Sequence, residues 1–190
     1  MLFEIAILVT QLLLLVGVLT YIAYSTARGL SGYMDVPYVA TPRRLLPAIA
    51  DALNIRPLDI VYDLGCGDGR LLFYCAQRFP QAQFIGIERN PLLVFFAQTK
   101  RATLGLKNIS FLRENIFETD FSNATRIYAF LLPELMYKLF APDTNKIISS
   151  HRMRLVSRAF KVRGRESTKT IALPNVKNTC GEQELHVYEW

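Results

Sequence analysis

The stretch that decides the fold reads Ile60-Val-Tyr-Asp-Leu-Gly-Cys-Gly-Asp-Gly-Arg70. Its first part, Ile60–Leu64, is a short apolar run that predicts a buried strand. Residues 65–69 carry a glycine at every second position, which predicts a tight turn whose backbone takes positive φ angles and approaches a ligand closely. The helix expected from Arg70 adds free N–H groups and a positive dipole end. The sequence therefore predicts a site for a carboxylate or phosphate at this junction.

The glycine spacing argues against a dinucleotide. The dinucleotide-binding loop has the pattern GxGxxG, whose third glycine would fall at position 70, where this chain has Arg70. Pyrophosphate binding is therefore disfavoured. A glycine turn also occurs for purely structural reasons, so a second signal is needed.

That second signal follows the next predicted strand, residues 83–87, which ends at Glu88. In parallel sheets ligands bind at the carboxyl edge, where Glu88 would lie beside Asp63 and can accept both hydroxyls of a ribose. The alternative is that Glu88 only caps the helix predicted from Asn90. The combination with Asp63 and the three glycines favours ligand binding.

The rest of the chain predicts alternating strands and helices. A helix over residues 41–53 should be kinked or delayed by Pro47. The other predicted helices cover residues 70–79, 90–104, 134–140 and 142–150, and the other strands cover residues 109–113, 126–131, 154–160, 170–173 and 185–190. The last two strands flank a loop with Gly181 and predict an antiparallel hairpin. This order predicts an α/β fold, mostly parallel, with helices on both faces of the sheet.

Residues 5–24 form an uncharged apolar segment that would span about 30 Å as a helix, the thickness of the bilayer hydrocarbon. A transmembrane helix is predicted. A cleaved signal peptide and a buried core helix are the alternatives, but Glu4 precedes the segment, no basic residue does, and the run is long for a signal peptide. Because Arg28, Arg43 and Arg44 follow, the positive-inside rule places the domain in the cytoplasm, or in the matrix of a mitochondrion.

This pattern divides the chain into three parts. We predict a transmembrane anchor over residues 1–28, a linker and a helix preceding the domain over residues 29–58, and the ligand-binding domain over residues 59–190. Residues 25–38 contain Gly29, Gly32 and Pro37 and have no helical periodicity, so a linker is expected there.

The net charge of +6 is concentrated in the second half, where basic residues are dense over residues 146–169. Such a segment can attract anionic headgroups, nucleic acid or an acidic partner. We interpret it as a solvated basic face near a negative membrane, and expect no nucleic-acid partner, because no RNA-stacking motif or zinc finger is present. Cys66, Cys75 and Cys180 form no metal-binding or disulfide pattern, so reduced thiols and no metal are expected.

Residues 63–69 together with Glu88 resemble the first two motifs of class I S-adenosylmethionine-dependent methyltransferases. The resemblance implies a Rossmann-like seven-stranded sheet in the order 3-2-1-4-5-7-6, with the last strand antiparallel. It also implies S-adenosyl-L-methionine as cofactor, Glu88 on the ribose, and Asp63 or Asp68 at the amino group, directly or through water. The glycines implied to hold the methionine part are Gly65, Gly67 and Gly69.

The third motif of that family has an acidic residue that binds the adenine amino group. Asn115 occupies this place, and its amide oxygen can accept the same hydrogen bond. Glu114 is the alternative.

A narrower resemblance rests on Pro37-Tyr-Val-Ala-Thr-Pro42 and Leu131-Leu-Pro-Glu-Leu-Met136. With the preceding span, these segments resemble the membrane-bound protein-lysine methyltransferases that modify the rotor-ring protein of ATP synthase or the adenine nucleotide translocase, and their bacterial relatives. The resemblance implies that Tyr38 and Thr41 close over the cofactor and that Glu134 orients the substrate ammonium. Alternatively, Tyr38 is ordinary linker packing and Glu134 a favourable first-turn helix residue.

Three functions follow as hypotheses. The first is lysine methylation of a membrane-associated protein, the second is methylation of a lipid or hydrophobic small molecule, and the third is a non-catalytic cofactor-binding scaffold. The chain has no Asn/Asp-Pro-Pro-Tyr tetrapeptide after the fourth strand, which enzymes acting on planar amino groups would carry.

Overall fold

The structure is a computed structural model that describes residues 2–32, 38–140, 153–174 and 183–190. It separates into two compact units, Met1–Pro37 and Tyr38–Trp190. The first unit contains one long helix, and the second contains the sheet and the other helices.

The described residues of the first unit form helix α1 (Leu2–Gly32). By length and composition its 21-residue segment Phe3–Ala23 is able to cross a membrane, although an N-terminal signal sequence passes the same test. Thr10 donates its hydroxyl to the carbonyl of Ala6 at 2.9 Å, so this polar side chain is satisfied within the helix. The linker predicted from residue 25 is wrong up to Gly32, because glycine lowers helix propensity without ending a helix.

The second unit is a seven-stranded sheet in the order β3-β2-β1-β4-β5-β7-β6, as predicted. Strands β1 to β5 run parallel, and β7 is antiparallel to both of its neighbours. The strands are β1 (Ile60–Leu64), β2 (Gln83–Glu88), β3 (Ile109–Arg113), β4 (Arg126–Ala129), β5 (Arg154–Arg158), β6 (Lys169–Ala172) and β7 (Glu184–Glu189). The terminal antiparallel hairpin is therefore confirmed.

The helices of this unit are α2 (Leu46–Leu53), α3 (Arg70–Arg78), α4 (Pro91–Leu104) and α5 (Pro133–Phe140), with a 3-10 turn, Arg43–Leu45, before α2. Pro47 lies in the first turn of α2, so it delays that helix without kinking it. The helix predicted over residues 142–150 lies outside the described residues. Strand β5 ends earlier than predicted because Ala159 has a φ of +68°, which leaves the extended conformation.

Hydrophobic side chains are buried on both faces of the sheet. On one face, α2, α3 and α4 cover residues such as Val61, Phe84 and Val156. On the other face, α5 packs against Leu64, Ile127 and Leu155. The two layers leave the carboxyl ends of β1, β2 and β4 as the edge where a ligand site is expected.

The prediction of a solvated basic face is wrong for Arg158 of β5, whose side chain is completely buried. Arg158 lies on an interior strand, between β4 and β7, where packed elements cover it. Arg154, on the same strand, is partly exposed and forms an ion pair with Glu189. Cys66 and Cys75 are free thiols as predicted, and Cys180 lies outside the described residues.

Candidate active site

The glycine loop joins the carboxyl end of β1 to α3. Gly65, Gly67 and Gly69 have φ angles of +77°, +57° and +71°, a region that other residues rarely adopt. The amides of Gly65 and Cys66 both donate to the carbonyl of Ile87, at 2.9 and 3.0 Å, which ties the loop to β2. The loop is therefore a tight turn with the conformation expected from its spacing.

Glu88 connects the end of β2 to this loop. Its Oε2 accepts a hydrogen bond from the Gly67 amide at 2.9 Å, and its Oε1 accepts one from the Asn90 amide at 2.8 Å. The cap of α4 is Asn90, whose Oδ1 accepts from the Leu92 amide at 2.9 Å. Asn90, not Glu88, is thus the residue that caps α4. Among the described residues each oxygen of Glu88 accepts one hydrogen bond, which leaves a second lone pair for a ligand.

Asp63 lies in β1 just before the loop and is only 4% exposed. Burial, followed by the negative charges of Glu88 and Asp68, raises its pKa to about 8. The carboxyl is therefore mostly protonated at neutral pH. A cationic group beside it would restore the ionised form.

Arg70 joins the loop to the segment that precedes α2. Its Nη2 forms an ion pair with Asp68 at 2.6 Å and donates to the Tyr38 hydroxyl at 3.3 Å, while its Nη1 donates to the Thr41 carbonyl at 3.0 Å. Burial acts to raise the pKa of Asp68, but the hydrogen bonds and charge of Arg70 outweigh it and lower that pKa. Arg70 thus holds Tyr38 and Thr41 at the loop, a role that its place in the glycine motif did not reveal.

The Tyr38 ring lies directly against the loop. A Cβ atom added at Gly67 would come within 2.3 Å of the ring carbon Cε2, so any side chain there would displace the Tyr38 ring. Burial, then the charge of Asp68, raises the Tyr38 pKa, and its side chain remains 49% exposed. The structure therefore brings Tyr38 together with the predicted cofactor loop.

Asn115 lies just beyond β3, at the same edge of the sheet. Its Oδ1 accepts from the Phe117 amide at 3.2 Å, and its Nδ2 donates to Glu118 at 3.0 Å. Glu114 donates its amide to the carbonyl of Glu88 at 3.3 Å, while its side chain accepts from Thr119. The two candidates for adenine recognition thus follow the strand next to Glu88.

Glu134 is exposed in the first turn of α5. The connection from β4 to α5 reaches the glycine loop through Leu131, because a Cβ at Gly65 would lie 3.1 Å from Leu131 Cδ2. Sequence reasoning missed Tyr128 and Arg158, which lie on β4 and β5 on the same face as Asp63. The signal that could have revealed Arg158 is its charge within a strand that was predicted over residues 154–160.

The fold and this acidic carboxyl edge define a class I methyltransferase, as the first two motifs predicted. A model described as the ANTKMT methyltransferase domain matches residues 63–169, and the chain belongs to this family. It is therefore an enzyme of the S-adenosylmethionine-dependent methyltransferase class, with that molecule as cofactor.

Three similar proteins illustrate the relationship. A protein-lysine N-methyltransferase of Saccharolobus islandicus is 34% identical over 130 residues, 68% of this chain and 80% of that protein. A Caenorhabditis elegans lysine N-methyltransferase named for the C-subunit of ATP synthase is 34% identical over 92 residues, 45% of this chain and 47% of that protein. The crystal structure of a Salinibacter ruber RNA methyltransferase with S-adenosyl-L-homocysteine has a TM-score of 0.66 and 27% identity, covering 80% of this chain and 92% of that one.

The charges of the edge fit this cofactor. S-adenosylmethionine carries a sulfonium and an ammonium group, and the buried Asp63 lies in the field of two further carboxylates, Asp68 and Glu88. A cation beside Asp63 opposes the burial and the carboxylate repulsion that together raise the pKa of this group. The fit is therefore electrostatic as well as conformational.

Proposed function

We propose that this methyltransferase transfers the methyl group of S-adenosylmethionine to a lysine amine of a membrane-associated protein. The observation that carries the proposal is the acidic edge formed by Asp63 and by Glu88 bound to the glycine loop. The lysine acceptor is supported by the names of the relatives from Saccharolobus and Caenorhabditis.

The cofactor-binding residues proposed here lie around the loop. Gly65, Gly67 and Gly69 bring their backbone close to the methionine part, and Glu88 accepts from the ribose hydroxyls with its remaining lone pairs. Asp63 binds the ammonium group in its ionised form. The amide oxygen of Asn115 accepts from the adenine amino group, with Glu114 as the alternative.

The cofactor supplies a methyl group on a sulfonium, which a neutral amine attacks in line. The protein must hold that amine about 3 Å from the methyl carbon and exclude water. Tyr38, held by Arg70, lies against the loop and is the residue proposed to exclude water there. Glu134 orients the incoming ammonium before it loses its proton.

The membrane part of the proposal rests on α1. Its segment Phe3–Ala23 has the length and apolar composition of a single span. Arg28, Arg43 and Arg44 follow that span, and the positive-inside rule puts the catalytic unit on the cytoplasmic side, or on the matrix side in a mitochondrion. A tethered enzyme meets membrane proteins at a high effective concentration.

The test incubates the full-length protein with methyl-labelled S-adenosylmethionine and solubilised membranes from its source. Label in a protein band, lost on treatment with proteinase and recovered as methyllysine after hydrolysis, supports the proposal. Label in the organic phase would favour a lipid acceptor, label in RNA would favour the activity named for the Salinibacter protein, and cofactor binding without any label would favour the scaffold. Glu88→Ala serves as the matched inactive control.

A further inference from the structure

Arg158 has a completely buried guanidinium at the carboxyl end of β5. Among the residues that the structure describes, its Nε and Nη2 atoms have no hydrogen-bond partner. Leaving donors of a charged group buried and unpaired costs more than leaving neutral ones so. An acceptor for these two atoms is therefore expected when the protein works.

The two unpaired atoms share one edge of the guanidinium plane. Nε and Nη2 point their N–H bonds in parallel, the arrangement with which arginine binds both oxygens of a carboxylate. The other nitrogen, Nη1, already donates to the Thr41 hydroxyl at 3.5 Å. The free edge thus has the geometry of a carboxylate-binding fork.

The surroundings hold this fork in place. The guanidinium carbon lies 4.3 Å from the centre of the Phe130 ring, a cation–π contact that stabilises its position. Thr41, at the other side, belongs to the segment that Arg70 fastens to the glycine loop. Arg158 is therefore linked to both chain segments that border the candidate active site.

The strand register places Arg158 on the same face of the sheet as Asp63. Asp63 of β1 is paired with Tyr128 of β4, which is paired with Val156 of β5, two residues before Arg158. Residues two apart on a strand share a face, so Asp63, Tyr128 and Arg158 all project from the same face. Burial and the charge of Asp63 raise the pKa of Tyr128, whereas Arg158 and Thr41 oppose the rise, so its hydroxyl lies between an acidic and a basic group.

A carboxyl and a guanidinium on either side of a hydroxyl form a receptor for a zwitterion. We propose that the Nε and Nη2 edge of Arg158 binds the α-carboxylate of the methionine part of S-adenosylmethionine, opposite the ammonium group at Asp63. This assignment rests on the proposed function, because it uses the cofactor site described above. Arg158 then discriminates in favour of ligands with an intact amino-acid head.

Calorimetry with two ligands tests the contact. Decarboxylated S-adenosylmethionine keeps the sulfonium, the amine and the nucleoside, so it removes only the carboxylate. Full-length wild type should bind it roughly 10 to 100 times more weakly than S-adenosylmethionine, the range expected for charged hydrogen bonds. In Arg158→Met the ratio of the two affinities should fall toward one.

Two further variants keep the test decisive. Arg154→Met removes a guanidinium from the other end of the same strand and should leave the wild-type ratio unchanged. Arg158→Lys keeps the charge without the two-donor edge, so its ratio of affinities should fall between those of wild type and Arg158→Met. If Arg158→Met does not fold, Arg158→Lys is measured in its place.

The outcomes distinguish failure of the carboxylate contact from failure of the proposed function. Equal weakening of both ligands by Arg158→Met, or a wild-type ratio near one, would overturn the carboxylate contact and make Arg158 a structural residue. A wild type that binds neither ligand would overturn the proposed function itself.

Discussion

Glu88 links the glycine loop to the start of α4 through the two oxygens of one carboxylate. Gly67 donates to one oxygen and Asn90 to the other. The carboxylate is thus fixed in orientation before any ligand arrives, and fixed groups lose less entropy on binding. Its contribution to affinity should accordingly be large for a single side chain.

We expect Glu88→Ala to weaken S-adenosylmethionine binding by about 10-fold or more, since it removes a charged acceptor and loosens the loop. Asn115→Asp should retain or improve binding, because it preserves the acceptor. Calorimetric titration of the two purified variants provides the measurement. Unchanged affinity in Glu88→Ala would mean that the ribose is bound elsewhere.

Gly67→Val should abolish cofactor binding. Its Cβ would collide with the Tyr38 ring, and the φ of +57° is strained for a branched residue. Gly105→Val is the matched control, because Gly105 also has a positive φ, of +64°, but no atom lies within 4 Å of the added Cβ. The control should lose stability in urea unfolding yet bind the cofactor, and loss of binding in both variants would point to general misfolding.

The raised pKa of Asp63 predicts that cofactor binding releases a proton near pH 7. The free carboxyl, with a pKa of about 8, is mostly protonated, and an ammonium beside it favours the ionised form. Calorimetry in two buffers of different ionisation enthalpy should detect release of about one proton. Asp63→Asn should abolish it, whereas release that persists in this variant would assign the proton to another group.

The same group gives a pH dependence to the stability of the cofactor-free protein. Because its pKa is higher in the folded than in the unfolded chain, the stabilising contribution is complete below about pH 4 and is lost as pH rises through about 8. Wild type should therefore lose stability relative to Asp63→Asn over this range. Urea unfolding of both at pH 5 and pH 8 measures the difference, and parallel curves would contradict the buried carboxyl.

At the scale of elements, hydrophobic patterning predicted most of the sheet. The bounds of β1 and β3 match the prediction because each apolar run ends at polar or glycine residues. Strand β4 was predicted two residues too long, since Phe130 and Leu131 continue the apolar run although the chain already turns toward α5. Apolar character alone does not distinguish a strand from a buried loop that contacts the core.

The candidate site was predicted less completely than the fold. Gly67 and Glu88 could be predicted from the sequence because both belong to local patterns at strand ends. Arg70 and Arg158 were not, because their partners Thr41 and Phe130 are distant in sequence. Contacts of this kind depend on strand register, which periodicity does not supply.

The positive φ of Ala159 at the end of β5 can be tested by substitution. Ala159 is buried with a φ of +68°, which costs an L-residue about 1–2 kcal/mol and glycine almost nothing. After the entropy that glycine adds to the unfolded chain, Ala159→Gly should still raise the free energy of unfolding by about 0.5 kcal/mol. Ala129→Gly in β4 should lower it by about 1 kcal/mol, and equal losses in urea unfolding would contradict the strained conformation.

At the scale of the whole molecule, the catalytic residues proposed here all lie in the unit from Tyr38 onward, and the apolar segment Phe3–Ala23 lies in the other unit. None of the proposed cofactor contacts involves α1. In the proposed function the two units therefore have separable tasks: the unit from Tyr38 onward performs the chemistry, and α1 holds the enzyme at the membrane.

Removal of residues 1–37 should accordingly leave S-adenosylmethionine affinity unchanged but strongly reduce methylation of the membrane substrate. What is lost is confinement, because a tethered enzyme meets membrane partners at an effective concentration that reaches about the millimolar range. Exposed basic residues such as Lys161, Arg163 and Lys169 should retain some attachment to anionic lipids, and high salt should abolish that remainder. Full-length and truncated protein are compared on the same membranes at low and high ionic strength. Equal rates under both conditions would refute a membrane-confined substrate and favour a soluble one.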